Sequence, residues 1–147
     1  MNNNSGGYVI TADISSIKNI VCDEVWQITR SSKNISGAIW MHALAPSPGL
    51  YNRFLNEWRD KPGEEWWHIY KKLFEQELKT QIKLDALRRL QNLVKSGKVI
   101  ALVCFCGDSR YCHRTLVGDF LRHNGIRVDE FIKEKSKNND VEQLRLF

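Results

Sequence analysis

Long apolar runs are missing from this sequence. No stretch approaches the eighteen or so uncharged residues that a membrane-spanning helix needs, so a helical membrane protein is not expected. The chain also lacks the opening basic segment and apolar run of a secretory leader, and a cytoplasmic location is expected from that. There is no internal repeat, and 147 residues read as one domain. Cysteine is sparse, with four residues. Without an export signal these are expected to be reduced, and so buried, ligating or reactive rather than bridged. No strong excess of one charge sign designates a partner. The net charge of +5 arises from 22 basic and 17 acidic residues that are interspersed, which is compatible with nucleic-acid contact without requiring it. What is present, 42% apolar and 10% aromatic residues, is enough for a packed core.

Residues 1–7 (MNNNSGG) are polar and read as a flexible arm. Residues 8–13 alternate and are rich in β-branched side chains, predicting a first strand. Residues 23–29 predict a second, with Val25, Gln27 and Thr29 on one face and Trp26 and Ile28 on the other. Residues 38–44 predict a third extended segment. Ser47 before Pro48 is a helix start, because the serine oxygen can cap free amides and proline suits the first turn. That helix runs to about Trp58 and stops in RDKPG. Residues 64–79 predict a helix with Trp67, Tyr70, Phe74 and Leu78 as its apolar stripe. Residues 84–95 predict another, carried by Leu87, Leu90 and Val94 and closed by Gly97. A buried strand (99–105), a polar loop (106–109), an amphipathic helix (about 110–124) and a last strand (126–131) follow. Alternating strands and helices predict a single α/β domain over 8–132, a mostly parallel sheet flanked by helices. Residues 133–142 lose their apolar character and read as a linker.

The candidate site is the strand-to-helix turn that holds three of the four cysteines. Functional groups in open α/β sheets gather at the carboxyl ends of strands. Cys104 and Cys106 lie at such an end, and Cys112, His113 and Arg114 open the next helix. Free amides, the helix dipole and the neighbouring Arg110, His113 and Arg114 would favour a thiolate or a bound anion there. Four readings stay open. The thiols, imidazole and guanidinia are structural; or they form a nucleophilic or anion-binding pocket; or Cys104, Cys106, Cys112 and His113 hold zinc; or Cys104 and Arg110, five residues apart, form a phosphatase-like loop. Against the last, Val103 and Tyr111 stand where such a loop has histidine and a hydroxyl residue. Thr11 and Ser15, after the first strand, and Arg30, after the second, are further candidates to line the crevice and bind an anion. Ser47, the tryptophans, His42, His68, His123 and Cys22 read as structural.

LVCFC followed by CHRTLVGDFL resembles the family called domain of unknown function 488. The resemblance extends to TADISSIKNI, ALAPSPGLYNRF and WWHIYKKLFEQEL. It implies an α/β fold and a site at Cys104, Cys112, His113 and Arg114, together with the Ala45-Pro46-Ser47 turn. Arg110 is not part of that pattern, and Cys106 replaces an acid found in many relatives. With Cys112 as nucleophile or ligand, His113 would carry a proton and Arg114 would meet a phosphate or oxyanion.

The chain ends in Gln143-Leu144-Arg145-Leu146-Phe147. This resembles the pentapeptide by which bacterial replication and repair proteins dock on the DNA sliding clamp. Leu144, Leu146 and Phe147 would anchor in an apolar groove while Gln143 hydrogen-bonds at its rim; the alternative is that the three apolar residues fold back onto the domain as a last strand or plug. The expectation is a protein acting on or beside DNA, with DNA or a phosphate-bearing ligand and the clamp as partners. A zinc or nucleic-acid binding module and a pure interaction scaffold are the alternatives.

Overall fold

The computed structural model describes residues 6–31 and 35–132. The clamp-like peptide 143–147, the linker 133–142 and most of the arm 1–7 therefore lie outside the described residues. Five strands, β1 (Tyr8–Asp13), β2 (Glu24–Gln27), β3 (Ala38–Trp40), β4 (Val99–Cys104) and β5 (Val128–Glu130), form one sheet in the order β3-β2-β4-β1-β5. Every pairing is parallel. This is the single-domain parallel α/β fold that the alternation of elements predicts. β4 reads as an unbroken apolar run because it lies between β2 and β1 and is covered on both faces.

Four α-helices accompany the sheet among the described residues: α1 (Pro48–Arg53), α2 (Gly63–Glu77), α3 (Gln81–Lys95) and α4 (His113–His123). Ser47 caps α1 as predicted, its Oγ accepting the Leu50 N–H at 3.1 Å. α1 continues into a π-helical turn, Phe54–Trp58. The main core joins Trp26, Ile100 and Leu102 of the sheet to Phe74, Leu90 and Leu121 of the helices. Ala12, Ala101 and Val103, on the opposite face, form a smaller cluster covered by Ile14 and Ile17 of the 3₁₀ segment Ile14–Asn19. The helices thus crowd one face, and the even-numbered residues of β4, Ile100, Leu102 and Cys104, point into them.

Element bounds differ by a few residues throughout, α3 for instance starting at Gln81 rather than at 84, and three further details differ from the sequence reading. β3 stops at Trp40, and a 3₁₀ turn at His42–Leu44 follows, which buries Leu44. The buried stripe of α2 is Trp66, Tyr70 and Phe74, continued as expected by Leu78 just past its end; Trp67 is only partly buried. The helix expected from residue 110 begins at His113. Asp108 caps a separate 3₁₀ turn, Ser109–Tyr111, by accepting the Arg110 N–H at 3.0 Å, and Cys112 is extended (φ −131°, ψ 140°). That break makes Cys112 the residue that precedes α4 and lets its side chain reach β4. No helix among the described residues is long and apolar enough to cross a membrane.

Candidate functional site

All five strands run the same way, so their carboxyl ends share one edge of the sheet, and α4 starts there. Cys104 closes β4, and its sulfur meets the Cys112 sulfur at 3.0 Å. The Arg114 guanidinium donates to the Cys104 sulfur at 3.2 Å, to the Cys106 carbonyl at 2.6 Å and toward the Cys112 sulfur at 3.7 Å. Arg114 is only 1% exposed, so its charge needs partners within the fold. Glu130 on β5 supplies one, with an ion pair at 2.8 Å and a second contact to Nε at 3.3 Å. Thr11 Oγ1 in turn donates to Glu130 at 2.6 Å.

These contacts sort the protons. The Cys106 and Cys112 thiols donate toward Cys104, and His113 and Arg114 add favourable charge, holding the Cys104 pKa well below the ordinary thiol value despite burial. Burial and the negative charge on Cys104 push Cys112 well above that value. Cys106 is pushed up to about 12, first by its hydrogen bond to Cys104. Of the three sulfurs, Cys104 is therefore the one that ionises first. Burial lowers the pKa of His113, which keeps the ring neutral. Its Nε2 donates to the Ile28 carbonyl at 2.6 Å, so Nδ1, 3.9 Å from the Cys112 sulfur, is the unprotonated nitrogen. For Arg114, burial opposes the charge, but Glu130 and the Cys104 sulfur outweigh it and its pKa is raised.

Above this cluster lies a cleft of about 330 Å³. Cys104, Cys106 and His113 contribute to its lining. Its walls are aromatic, with Tyr51, Phe54, Trp66, Tyr70, Phe105 and Tyr111, and Arg30 and Arg59 also line it. A chain of ring contacts ties these walls to the site. Trp66 meets Tyr111 at 6.2 Å, Tyr70 stacks on Phe74 at 6.2 Å, and Phe74 meets the His113 ring at 5.6 Å.

The sequence candidates divide accordingly. Cys104, Cys112, His113 and Arg114 come together in one buried cluster. Cys112 is not among the cleft-lining residues, and Arg114 is fully engaged by sulfur, carbonyl and carboxylate. Thr11 reaches the cluster through Glu130. Arg30 lines the cleft, where its guanidinium donates to the Pro46 carbonyl at 3.2 Å. Arg110 does not join it: its guanidinium pairs with Asp108 at 2.9 Å on the exposed side of the loop, so it does not close a phosphatase-like loop over Cys104. Ser15 also stays outside, bonding Asp13 through both its N–H and its hydroxyl. Sequence reasoning missed Glu130, Arg59 and the aromatic walls. The one sequence signal for Glu130 was an acid on the last predicted strand, which the parallel register sets opposite Thr11.

The ligand atoms of Cys104, Cys106 and Cys112 lie within 4.8 Å of one another, and these three residues could hold a metal ion. Thiolate chemistry suits zinc. His113, the fourth expected ligand, is outside that group, and the Arg114 guanidinium already contacts two of the sulfurs.

Fold and site together define a class: a parallel α/β domain in which a strand-end cysteine is buried against a Cys-His-Arg triplet at the start of the next helix. A family model described as the active DUF488-N3 subclade (DUF488-N3a) matches residues 14–125, and the chain belongs to this family. No curated protein and no solved structure matches it.

Proposed function

We propose that this protein is a thiol-dependent enzyme acting on or beside DNA, with Cys104 as its nucleophile. One observation carries the reading: of the two cysteines that line the cleft, Cys104 is the one whose sulfur the Cys112 thiol and the Arg114 guanidinium both contact, an arrangement that favours its thiolate. Cys112, the nucleophile suggested by sequence, becomes the adjacent thiol that donates to Cys104. Neutral His113 can take or return a proton at Nδ1, and Arg114 balances charge on sulfur. The description of the matching family model calls its subclade active, which agrees with catalysis. In the cytoplasm, Gln143, Leu144, Leu146 and Phe147 would dock on the bacterial sliding clamp and raise the local concentration of the enzyme at replicating or repaired DNA. Capture on immobilised clamp that survives deletion of residues 143–147 would remove that part of the proposal.

Alkylation tests the nucleophile. Reduced, metal-free protein is treated with limiting iodoacetamide near pH 6, and the four cysteines are mapped by peptide mass spectrometry. Cys104 is expected to be labelled first, and Cys112→Ser to slow that labelling. Labelling of Cys104 no faster than that of Cys22 contradicts the proposal. The grouping of three sulfurs favours a second reading, a zinc centre, with Cys104, Cys106 and Cys112 as its ligands. Stoichiometric zinc in the purified protein, lost in Cys106→Ser, would support it over the free thiolate.

A further inference from the structure

Thiol chemistry alone does not account for the cleft above Cys104. A nucleophile needs access and a nearby cation, whereas six aromatic side chains from four separate parts of the chain converge here, one of them Phe105, the residue after β4. Tyr51 and Phe54 come from α1 and the π-turn, Trp66 and Tyr70 from α2, and Tyr111 from the turn before α4. Such walls favour a flat ring that can stack or pack edge-on. At about 330 Å³ the space is at the small end of ligand pockets, enough for one compact ring-bearing ligand.

Among the described residues six arginines form carboxylate ion pairs and none of them lines the cleft, while Arg89, away from the cleft, lies over the Trp26 ring. The two arginines that do line it have no carboxylate partner among the described residues. Arg30 is bonded to a neutral carbonyl, and Arg59 is exposed. No aspartate or glutamate among the described residues lines the cleft either. Guanidinium groups left without carboxylates beside an apolar ring pocket suit a phosphate attached to a planar base.

We propose that the cleft binds one nucleotide unit, its base between the aromatic walls and its phosphate on Arg30 and Arg59. The unit is either a free nucleoside monophosphate or an unstacked residue of single-stranded DNA. This deepens, and rests on, the DNA-linked reading above by naming what enters the cleft.

Trp66 in the wall provides the readout. The full-length Cys104→Ser protein is titrated with each of the four deoxynucleoside 5′-monophosphates, the matching nucleosides, inorganic phosphate and a short single-stranded oligonucleotide, following tryptophan fluorescence. At least one monophosphate is expected to bind more tightly than its nucleoside and than phosphate alone. Arg30→Gln and Arg59→Gln should each weaken it about tenfold, leaving nucleoside binding unchanged. Tyr111→Ala should weaken nucleoside and monophosphate alike. Tighter, salt-sensitive binding of the oligonucleotide identifies single-stranded DNA as the source, and tighter binding of the monophosphate identifies the free nucleotide. If no monophosphate or oligonucleotide binds, or if both arginine variants bind like the parent, the proposal is overturned. Because the titration uses protein without the Cys104 thiol, its outcome is independent of the alkylation test. Nucleotide binding with an ordinary Cys104 would overturn only the nucleophile, and a reactive Cys104 without nucleotide binding only this inference.

Discussion

Arg114 is the residue on which the site depends. A buried guanidinium is costly unless every donor finds an acceptor, and here sulfur, a backbone carbonyl and the Glu130 carboxylate share that role. Removing one partner leaves charge without compensation. Glu130→Gln is expected to destabilise the fold by on the order of 3 kcal/mol in urea unfolding. Asp108→Asn, which breaks the exposed pair with Arg110, should change stability by no more than about 0.5 kcal/mol. Equal effects would show that the Arg114 pair behaves as a surface ion pair. The Cys-His-Arg triplet was legible in the sequence because its members are neighbours in one turn. Glu130 was not, because its contact with Arg114 exists only once β5 pairs with β1 in the register that sets Thr11 opposite Glu130. That register depends on tertiary packing, and no local pattern encodes it.

At the scale of elements, the strands were legible from apolar and β-branched runs, and the helices from their periodicity and from Ser47. The start of α4 was not. Periodicity cannot register the Asp108 cap that makes a separate 3₁₀ turn and turns Cys112 toward β4. The same turn carries Tyr111, and Gly63 at the start of α2 lets it pack. A Cβ on Gly63 would fall within the Tyr111 ring. Gly63→Ala should therefore push Tyr111 off the cleft wall, costing about 1–3 kcal/mol in stability and weakening nucleotide-induced quenching of Trp66. Unchanged stability and quenching would mean that Tyr111 is not held by this contact. The absence of a side chain at position 63 has a reason only once α2 and the turn before α4 are adjacent, so the sequence alone gave no hint of it.

For the whole molecule, the parallel sheet sets the direction of the chemistry. It brings every strand's carboxyl end to one edge, packs the helices on the face that Cys104 points into, and gathers aromatic side chains from distant segments over that sulfur. The net charge of +5 was visible from the start. Which arginines lack carboxylates was not, since pairing depends on the folded surface. The central claim is that Cys104 holds a negative charge at the floor of the cleft, and the thiolate absorbance of the reduced, metal-free protein tests it most directly. An isolated cysteine ionises near pH 8.5, and Cys22, Cys106 and Cys112 are all shifted upward. Only Cys104 is shifted downward, so its thiolate should persist as the pH falls below about 8.5 and vanish only at its lower folded pKa. The predicted result is one thiolate near pH 6, absent in Cys104→Ser and shifted to higher pH in Cys112→Ser. A wild-type protein with no thiolate signal until the pH passes about 8.5, or a signal that survives Cys104→Ser, would contradict the account.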